Sequence, residues 1–267
     1  MKKIVLLLSC AAFSASAFTQ DTPEPKRDKK EERNETRRQK INAMMKQDEE
    51  GVLVFSKQNV LGIQFRTNGY GAFYELGRTK TSRKTKIYRL DITEIKNTKE
   101  EKLPSGGFFI GNPYIYGKRN YFYQATMGFG QQYILGQKGN KNGVSVTAVY
   151  NTGISIGMLR PYYVEVVEGS STRVIKYSSK DSVAFLGPSI LGGGGFGKGW
   201  SEVKIKPGAF AKTALRFDYG RFNEVVSGLE IGISVEAYGE KIPILLFQKD
   251  KQIFYQGYIS LLFGRRK

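Results

Sequence analysis

From Gly51 onward, apolar side chains recur at every second position, the period of β-strands whose two faces meet different surroundings. In "VSVTAVYNTGISIGM", Val144, Val146, Ala148, Tyr150, Ile154, Ile156 and Met158 share one face; Ser145, Thr147, Asn151, Gly153, Ser155 and Gly157 share the other. "LEIGISVEA" sets Leu229, Ile231, Ile233 and Val235 against Glu230, Gly232, Ser234 and Glu236, and "AKTALRFDY" and "IYRLDIT" repeat the pattern. The alternation predicts eight long strands, at about 58–67, 70–79, 86–96, 120–135, 143–160, 208–222, 225–238 and 252–264. Each is near or above the ~9–11 residues that a tilted strand needs to cross a bilayer. Asn68-Gly69 predicts a tight hairpin between the first two.

An even number of strands puts both ends of this region on one side. Short turns at 80–85, 136–142 and 222–224 fall on that side too, and the longer connections near 97–119, 161–207 and 239–251 fall on the other. Short inner turns with long outer loops are the pattern of an outer-membrane barrel. The polar face then separates this reading from a soluble barrel. It carries Gly62, Gly71, Gly77, Gly128, Gly130, Gly153, Gly157, Gly228 and Gly232, where a solvated face would carry Lys, Glu, Thr and Gln. Glycine weakens a strand unless space is short, and an eight-stranded barrel has an interior only just wide enough for side chains. The polar face is therefore expected inside and the apolar face toward lipid.

In these respects the chain, over residues 52–267, resembles the small eight-stranded outer-membrane β-barrels, the group of the OmpA membrane domain and OmpX. The resemblance rests on an export signal, the alternation and the loop asymmetry, and implies an all-β, antiparallel up-and-down transmembrane barrel. Ten strands are the alternative, should Val183–Leu186 and Val203–Ile205 pair into the ring. The last strand, "IFYQGYISLLFGRRK", is similar to the terminal strand that such barrels present to the barrel-assembly machinery, but it continues past Phe263 with Gly264 and three basic residues.

The segment before the strands has a different character. "MKKIVLLLSCAAFSASA" has a basic start, an apolar run and a small-residue site, so residues 1–17 are expected to be a signal peptide. Residues 18–50 hold as many basic as acidic residues and read as a charged periplasmic linker with a solvated helix from about Lys26 to Gln47, carrying a stripe of Ile41, Met44 and Met45.

Charge sharpens the picture of the interior. The assignment puts Arg66, Arg89, Lys212 and Arg216 inside with Glu75, Asp91, Asp218, Glu230 and Glu236. Near balance predicts a filled, salt-bridged interior, since breaking a buried pair costs roughly 3–5 kcal/mol. The chain as a whole carries a formal charge of +18. One concentration is expected at the periplasmic rim: Arg78, Lys80, Arg83, Lys84, Lys86, Lys138, Lys141, Arg221, Arg265, Arg266 and Lys267, opposed by Glu224. Such a belt suits lipid phosphates, or an acidic periplasmic partner. Export and lipid-facing strands set nucleic acid aside despite the charge.

Candidate chemistry narrows in the same direction. The chain has no histidine, and its only cysteine, Cys10, lies in the signal, so Ser-His-Asp and Cys-His catalysis and imidazole zinc sites are excluded. "LGGGGFGKGW", Leu191–Trp200, has the spacing of a P-loop from Gly192 to Lys198, but Gly199 stands where Ser or Thr must hold Mg²⁺. The glycines are expected to act as a hinge after a hairpin formed by "PYYVEVVEG" and "TRVIKYS", with Trp200 at the membrane interface. The expectation is a non-enzymatic outer-membrane barrel without cofactor, a structural or interaction element of the envelope. A small-solute or lipid transporter is the alternative, and a lipid-modifying enzyme a weaker third.

Overall fold

The computed structural model describes residues 33–39, 42, 55–81, 83–104, 112–139, 142–220 and 224–267. The expected signal, most of the expected linker with Ile41, Met44 and Met45, and the expected rim residues Lys141 and Arg221 lie outside these. Residues 33–39 form an exposed helical segment.

The strand region opens with β1 (Lys57–Arg66), β2 (Gly69–Thr81) and β3 (Lys84–Ile95), followed by two short strands, β4 (Lys102–Leu103) and β5 (Tyr114–Ile115). Then come β6 (Asn120–Gly136), β7 (Ser145–Pro161), β8 (Tyr163–Glu168), β9 (Ser171–Lys176), a helical turn α1 (Ser182–Leu186) and β10 (Ile190–Gly193). β11 (Lys204–Asp218), β12 (Val225–Ile242) and β13 (Lys251–Arg266) complete it. Eight of these strands close into an antiparallel ring in the order β1-β13-β12-β11-β7-β6-β3-β2. Closure is by β1 against β13, with Gln58 opposite Arg266 and Arg66 opposite Tyr258. The ring leaves no sheet edge exposed.

The ring is eight-stranded and not ten-stranded. Val183–Leu186 lies within α1, and Lys204 and Ile205 are the first residues of β11 and add no strand of their own. The first hairpin also differs by one residue from the sequence expectation. Arg66 pairs with Gly69, so Thr67 and Asn68 form the turn and Gly69 begins β2. Gly69 has φ +157° and lies so close to β3 that a Cβ would sit 1.9 Å from the Glu94 carbonyl oxygen.

Burial follows the alternation. Leu61, Ile63, Phe65, Tyr88, Leu90, Ile92, Met127, Phe129, Ile154, Ile156, Ile231, Ile233 and Ile259 are exposed on the outside of the ring. Inside, glycines make room for large neighbours. A Cβ on Gly62 would lie 2.4 Å from the Phe73 ring, and one on Gly128 would lie 2.1 Å from the Asn151 side chain. The interior is more apolar than the sequence suggested: Val60, Phe73, Val226 and Leu262 form one buried cluster, and Ile87, Val149, Ala214 and Tyr258 another.

At the end remote from Lys57 and Lys267, the loops fold into a cap. β10, β8 and β9 make a three-stranded sheet, and β4 pairs with β5. Phe122, Leu159, Tyr238, Ile242 and Phe254 from the barrel strands share one apolar core with Ile115, Tyr162, Val164, Val166, Ile175, Phe185, Ile190, Ile244 and Leu245 from the loops. The cap's hydrophobic core is thus continuous with the mouth of the barrel.

Candidate functional site: the ion-paired interior, its basic end and the loop cap

Inward positions on β2, β3, β11 and β12 come into register around the barrel axis: Glu75 lies opposite Arg89, and Arg216 opposite Glu230. Their side chains meet at the centre. Arg216 grips Glu75 through both terminal nitrogens, at 2.7 and 2.8 Å, and Glu230 at 2.6 Å. Arg89 donates to Glu230 at 2.8 Å and to Asp91 at 3.1 Å, and its guanidinium lies 3.5 Å from the Phe73 ring centroid. Lys212 completes the chain with two bonds to Asp91, at 2.9 and 2.8 Å. Three cations therefore meet three carboxylates, and the side chains of Arg89, Glu75 and Glu230 are fully shielded from solvent. Neutral groups take up remaining lone pairs: Gln132 and Gln58 donate to Glu75, Thr126 to Asp91 and Tyr258 to Glu230.

Two smaller pairs flank this cluster. Toward the cap, Arg66 bonds Glu236 and also Gln124. Toward the opposite end, Arg266 bonds Asp218, with Lys138 4.0 Å from the same carboxylate and donating to the Gly220 carbonyl. The nine residues assigned to the interior thus fall into a central group of six, one pair beneath the cap, and Asp218 at the far end.

The expected basic rim needs correction at two positions. Arg78, Lys80, Arg83, Lys84, Lys86, Arg265 and Lys267 are exposed around the end of the ring that holds Lys57 and Lys267. Lys138 and Arg266 are buried, 7% and 8% exposed, because the Asp218 carboxylate draws both inward. Simple alternation places Arg266 on the inward face with Leu262 and Gly264, a signal that a count of exposed cations overlooks.

The cap also buries a cation, Lys118. Lys118, 1% exposed, donates to Glu100 at 2.9 Å and lies 4.3 Å from the Tyr121 ring centroid. Burial pushes its pKa below the usual lysine value, and Glu100 counteracts part of that shift. Around it, Arg119 N–H donates to the Ile244 carbonyl, Leu246 N–H to Gly117, and Asn120 to Pro243, tying the β12–β13 loop to the β5–β6 loop. Tyr162 accepts from the Ile115 amide at 3.0 Å, and burial raises its pKa to about 12. A half-buried triad, Tyr163–Glu202–Lys176, closes the base of the long loop; the lysine bond holds the Glu202 carboxyl below its ordinary range.

The glycine run of this loop is only partly a hinge. Ile190–Gly193 is strand β10, and a Cβ on Gly192 would lie 2.4 Å from the Asn112 carbonyl oxygen, so the first glycines serve close packing. The turns are made at Gly195 and Gly199, with φ +82° and +84°. A three-residue turn at Trp200–Glu202 and then β11 follow, not the helix a phosphate cradle needs. Sequence reasoning passed over Arg160, which this loop encloses; the signal was an arginine on the outward face directly beyond Ile154, Ile156 and Met158.

No family model and no curated protein matches the chain. Solved structures of similar shape include Neisserial surface protein A, with a TM-score of 0.39, 10% identity and coverage of 80% of this chain and 97% of that one. Ail, the attachment invasion locus protein of Yersinia pestis, matches with a TM-score of 0.37 and 11% identity over 80% of this chain and 100% of Ail. The N-terminal β-barrel domain of Pseudomonas aeruginosa OprF matches with a TM-score of 0.36 and 7% identity over 79% and 98%. The eight-stranded ring itself stands on the strand register of this chain.

Proposed function

We propose that this chain is an exported outer-membrane barrel that conducts nothing and catalyses nothing, and that serves the cell envelope as a structural or interaction element through its loop cap. The observation that carries the reading is the combination of an apolar outer wall with an ion-paired interior of nearly balanced charge. Soluble monomers rarely expose contiguous apolar patches beyond a few hundred Å², yet here bulky aliphatic and aromatic side chains face outward on every strand of the ring. On β7 the outward apolar run from Val146 to Met158 spans about 40 Å along the strand, or about 28 Å with a ~45° tilt, close to the thickness of a hydrocarbon core.

Among the described residues, the ion pairs within the ring leave no row of unpaired charges for a solute to follow, and the cap's apolar core covers the mouth. The interior carboxylates are engaged by arginine or lysine, which supports a packing role over acid–base work. In this reading the termini lie in the periplasm and the exposed rim cations meet lipid phosphates or an acidic partner there. β13 is the strand offered to the barrel-assembly machinery. Planar-bilayer recording on the purified protein tests it: the expected trace is flat, with no steady single-channel steps. A reproducible conductance abolished by Arg216→Gln without loss of the fold would establish the transporter reading instead.

A further inference from the structure

The β7–β11 loop folds against the outside of the barrel as well as over its mouth, and it encloses Arg160. On β7, Ile154, Ile156 and Met158 face outward, and Arg160 is the next outward residue, one alternate position beyond the apolar run. Tyr121, its partner in the register, and Tyr123, two positions along, come from the adjacent strand β6. The loop supplies Phe196 and Trp200. The guanidinium carbon lies 4.3, 5.5, 4.8 and 4.7 Å from the ring centroids of Tyr121, Tyr123, Phe196 and Trp200. Trp200 stacks on Tyr123 at 5.6 Å and donates its indole N–H to the Phe196 carbonyl.

This arginine is unlike every other one drawn into the molecule. Arg66, Arg89, Arg216 and Arg266 each hold a carboxylate. Arg160 is 1% exposed, yet no carboxylate pairs with it among the described residues. One terminal nitrogen donates to the Phe196 carbonyl at 2.7 Å, and Nε has no partner. A buried cation held by ring faces, the Tyr121 side chain and one carbonyl, with no carboxylate on it among the described residues, lacks the counter-ion that ordinarily offsets its desolvation. Beside it lies a cleft of about 460 Å³, lined also by Tyr121, Tyr123, Asn112, Phe196 and Lys198. Its one carboxylate, Glu94, is engaged by the Tyr70 hydroxyl at 2.6 Å and lies 3.9 Å from Lys96.

We propose that this cleft binds an acidic sugar, a hexose bearing phosphate or carboxylate. Its anion would pair with Arg160 and Lys198, its apolar ring face would lie against the tyrosines, and its hydroxyls would meet Asn112. Arginine is weakly hydrated and presents a planar fork matched to both anions, while tyrosine rings offer rigid amphipathic surfaces. The cleft volume falls within the usual ~300–1,000 Å³ of small-molecule sites. The sugar's source rests on the membrane reading above. If the outward apolar run lies in hydrocarbon, the cleft opens at head-group depth, and the ligand is either a glycolipid head group or the free acidic sugar.

Trp200 is the only tryptophan in the chain, so its fluorescence reports on this site directly. The full-length protein in detergent is titrated with glucose 6-phosphate, glucuronate and glucose, and is then placed in vesicles with or without a phosphorylated glycolipid. The expected result is a saturable Trp200 response to the acidic sugars or to the glycolipid vesicles, and at least about tenfold weaker binding of glucose. A response confined to the vesicles identifies the head group as the source; a response to both includes the free sugar. Arg160→Gln should weaken binding by about tenfold. Should that variant fail to fold, exposed Lys198→Gln should still weaken it about threefold while keeping the heat-modifiable migration of the wild type. A folded wild type that responds to neither acidic sugar nor glycolipid, or equally to glucose, overturns the proposal. Failure of the membrane reading shows separately, as protein that stays dispersed without detergent, and leaves the titration with free sugars intact.

Discussion

The barrel interior and the loop cap are two buried regions in one chain, assembled from opposite materials. At the centre of the ring, Arg89, Arg216 and Lys212 are matched by Glu75, Asp91 and Glu230, with the side chains nearly dry. Directly above, the cap packs Tyr162, Val164, Val166, Phe185, Ile190 and Leu245 with Lys118 as its buried cation. The difference follows from what lies outside each. The ring places most of its apolar side chains outward, so alternation leaves many polar and charged positions inside, and those must neutralise one another among the smaller apolar clusters around Phe73 and Ile87. The cap's hairpin and loops have solvent outside and bury their apolar faces in the ordinary way. Specific pairing therefore fixes the ring's interior, and hydrophobic packing fixes the cap.

That contrast is open to attack from several directions. The largest effect is expected inside the ring. Arg216→Ala leaves Glu75 and Glu230 short of their cation and should cost about 3–5 kcal/mol, read as loss of the heat-modifiable folded band at lower denaturant. Phe185→Ala in the cap should cost about 3 kcal/mol, but locally. Limited proteolysis should then cut between residues 161 and 204 while the ring remains resistant. If both variants unfold the whole molecule together, the two regions are a single cooperative unit and the comparison fails.

Smaller effects sharpen it. Lys118→Met keeps the packing but orphans Glu100, and should loosen the cap by about 1–3 kcal/mol without changing the ring. The pH dependence has a definite sign. Because burial lowers the Lys118 pKa, the opened cap binds more protons than the closed one between that lowered value and the ordinary lysine value of 10.5. Cap stability should therefore rise with pH across that window, and Lys118→Met should flatten the rise in a proteolysis series. Least of all, Arg83→Gln and Lys84→Gln on the exposed end should alter stability by under about 0.5 kcal/mol while weakening adhesion to anionic vesicles.

Much of the ring was legible in the sequence because a period of two is a strong signal wherever the two faces of a strand meet different surroundings. The strands at 120–135, 143–160 and 225–238 recur within a few residues as β6, β7 and β12. The alternation also located the charges that meet inside, since Glu75, Arg89, Arg216 and Glu230 occupy positions opposite the apolar ones. It said less about Phe73, Phe122 and Tyr258, because an aromatic beside aromatics reads as outward until the register shows it filling the space a glycine leaves. The cap was hardest to read. Its core joins residues as distant as Ile115, Phe185 and Leu245, and no local period marks such contacts. Arg160 escaped for a related reason: the rings around it come from β6 and from a loop some forty residues further along.

The central claim is that the alternating apolar face meets hydrocarbon while the charged face lies in a closed, packed interior. It is tested most directly by spin labels placed one at a time, in a Cys10→Ser background, at Ile231, Ile154 and Lys80 of the protein in lipid bilayers. The account predicts that dissolved oxygen relaxes the labels at Ile231 and Ile154 far more than a water-soluble nickel chelate does, with the order reversed at Lys80. Strong relaxation by the chelate at Ile231 and Ile154 would contradict it.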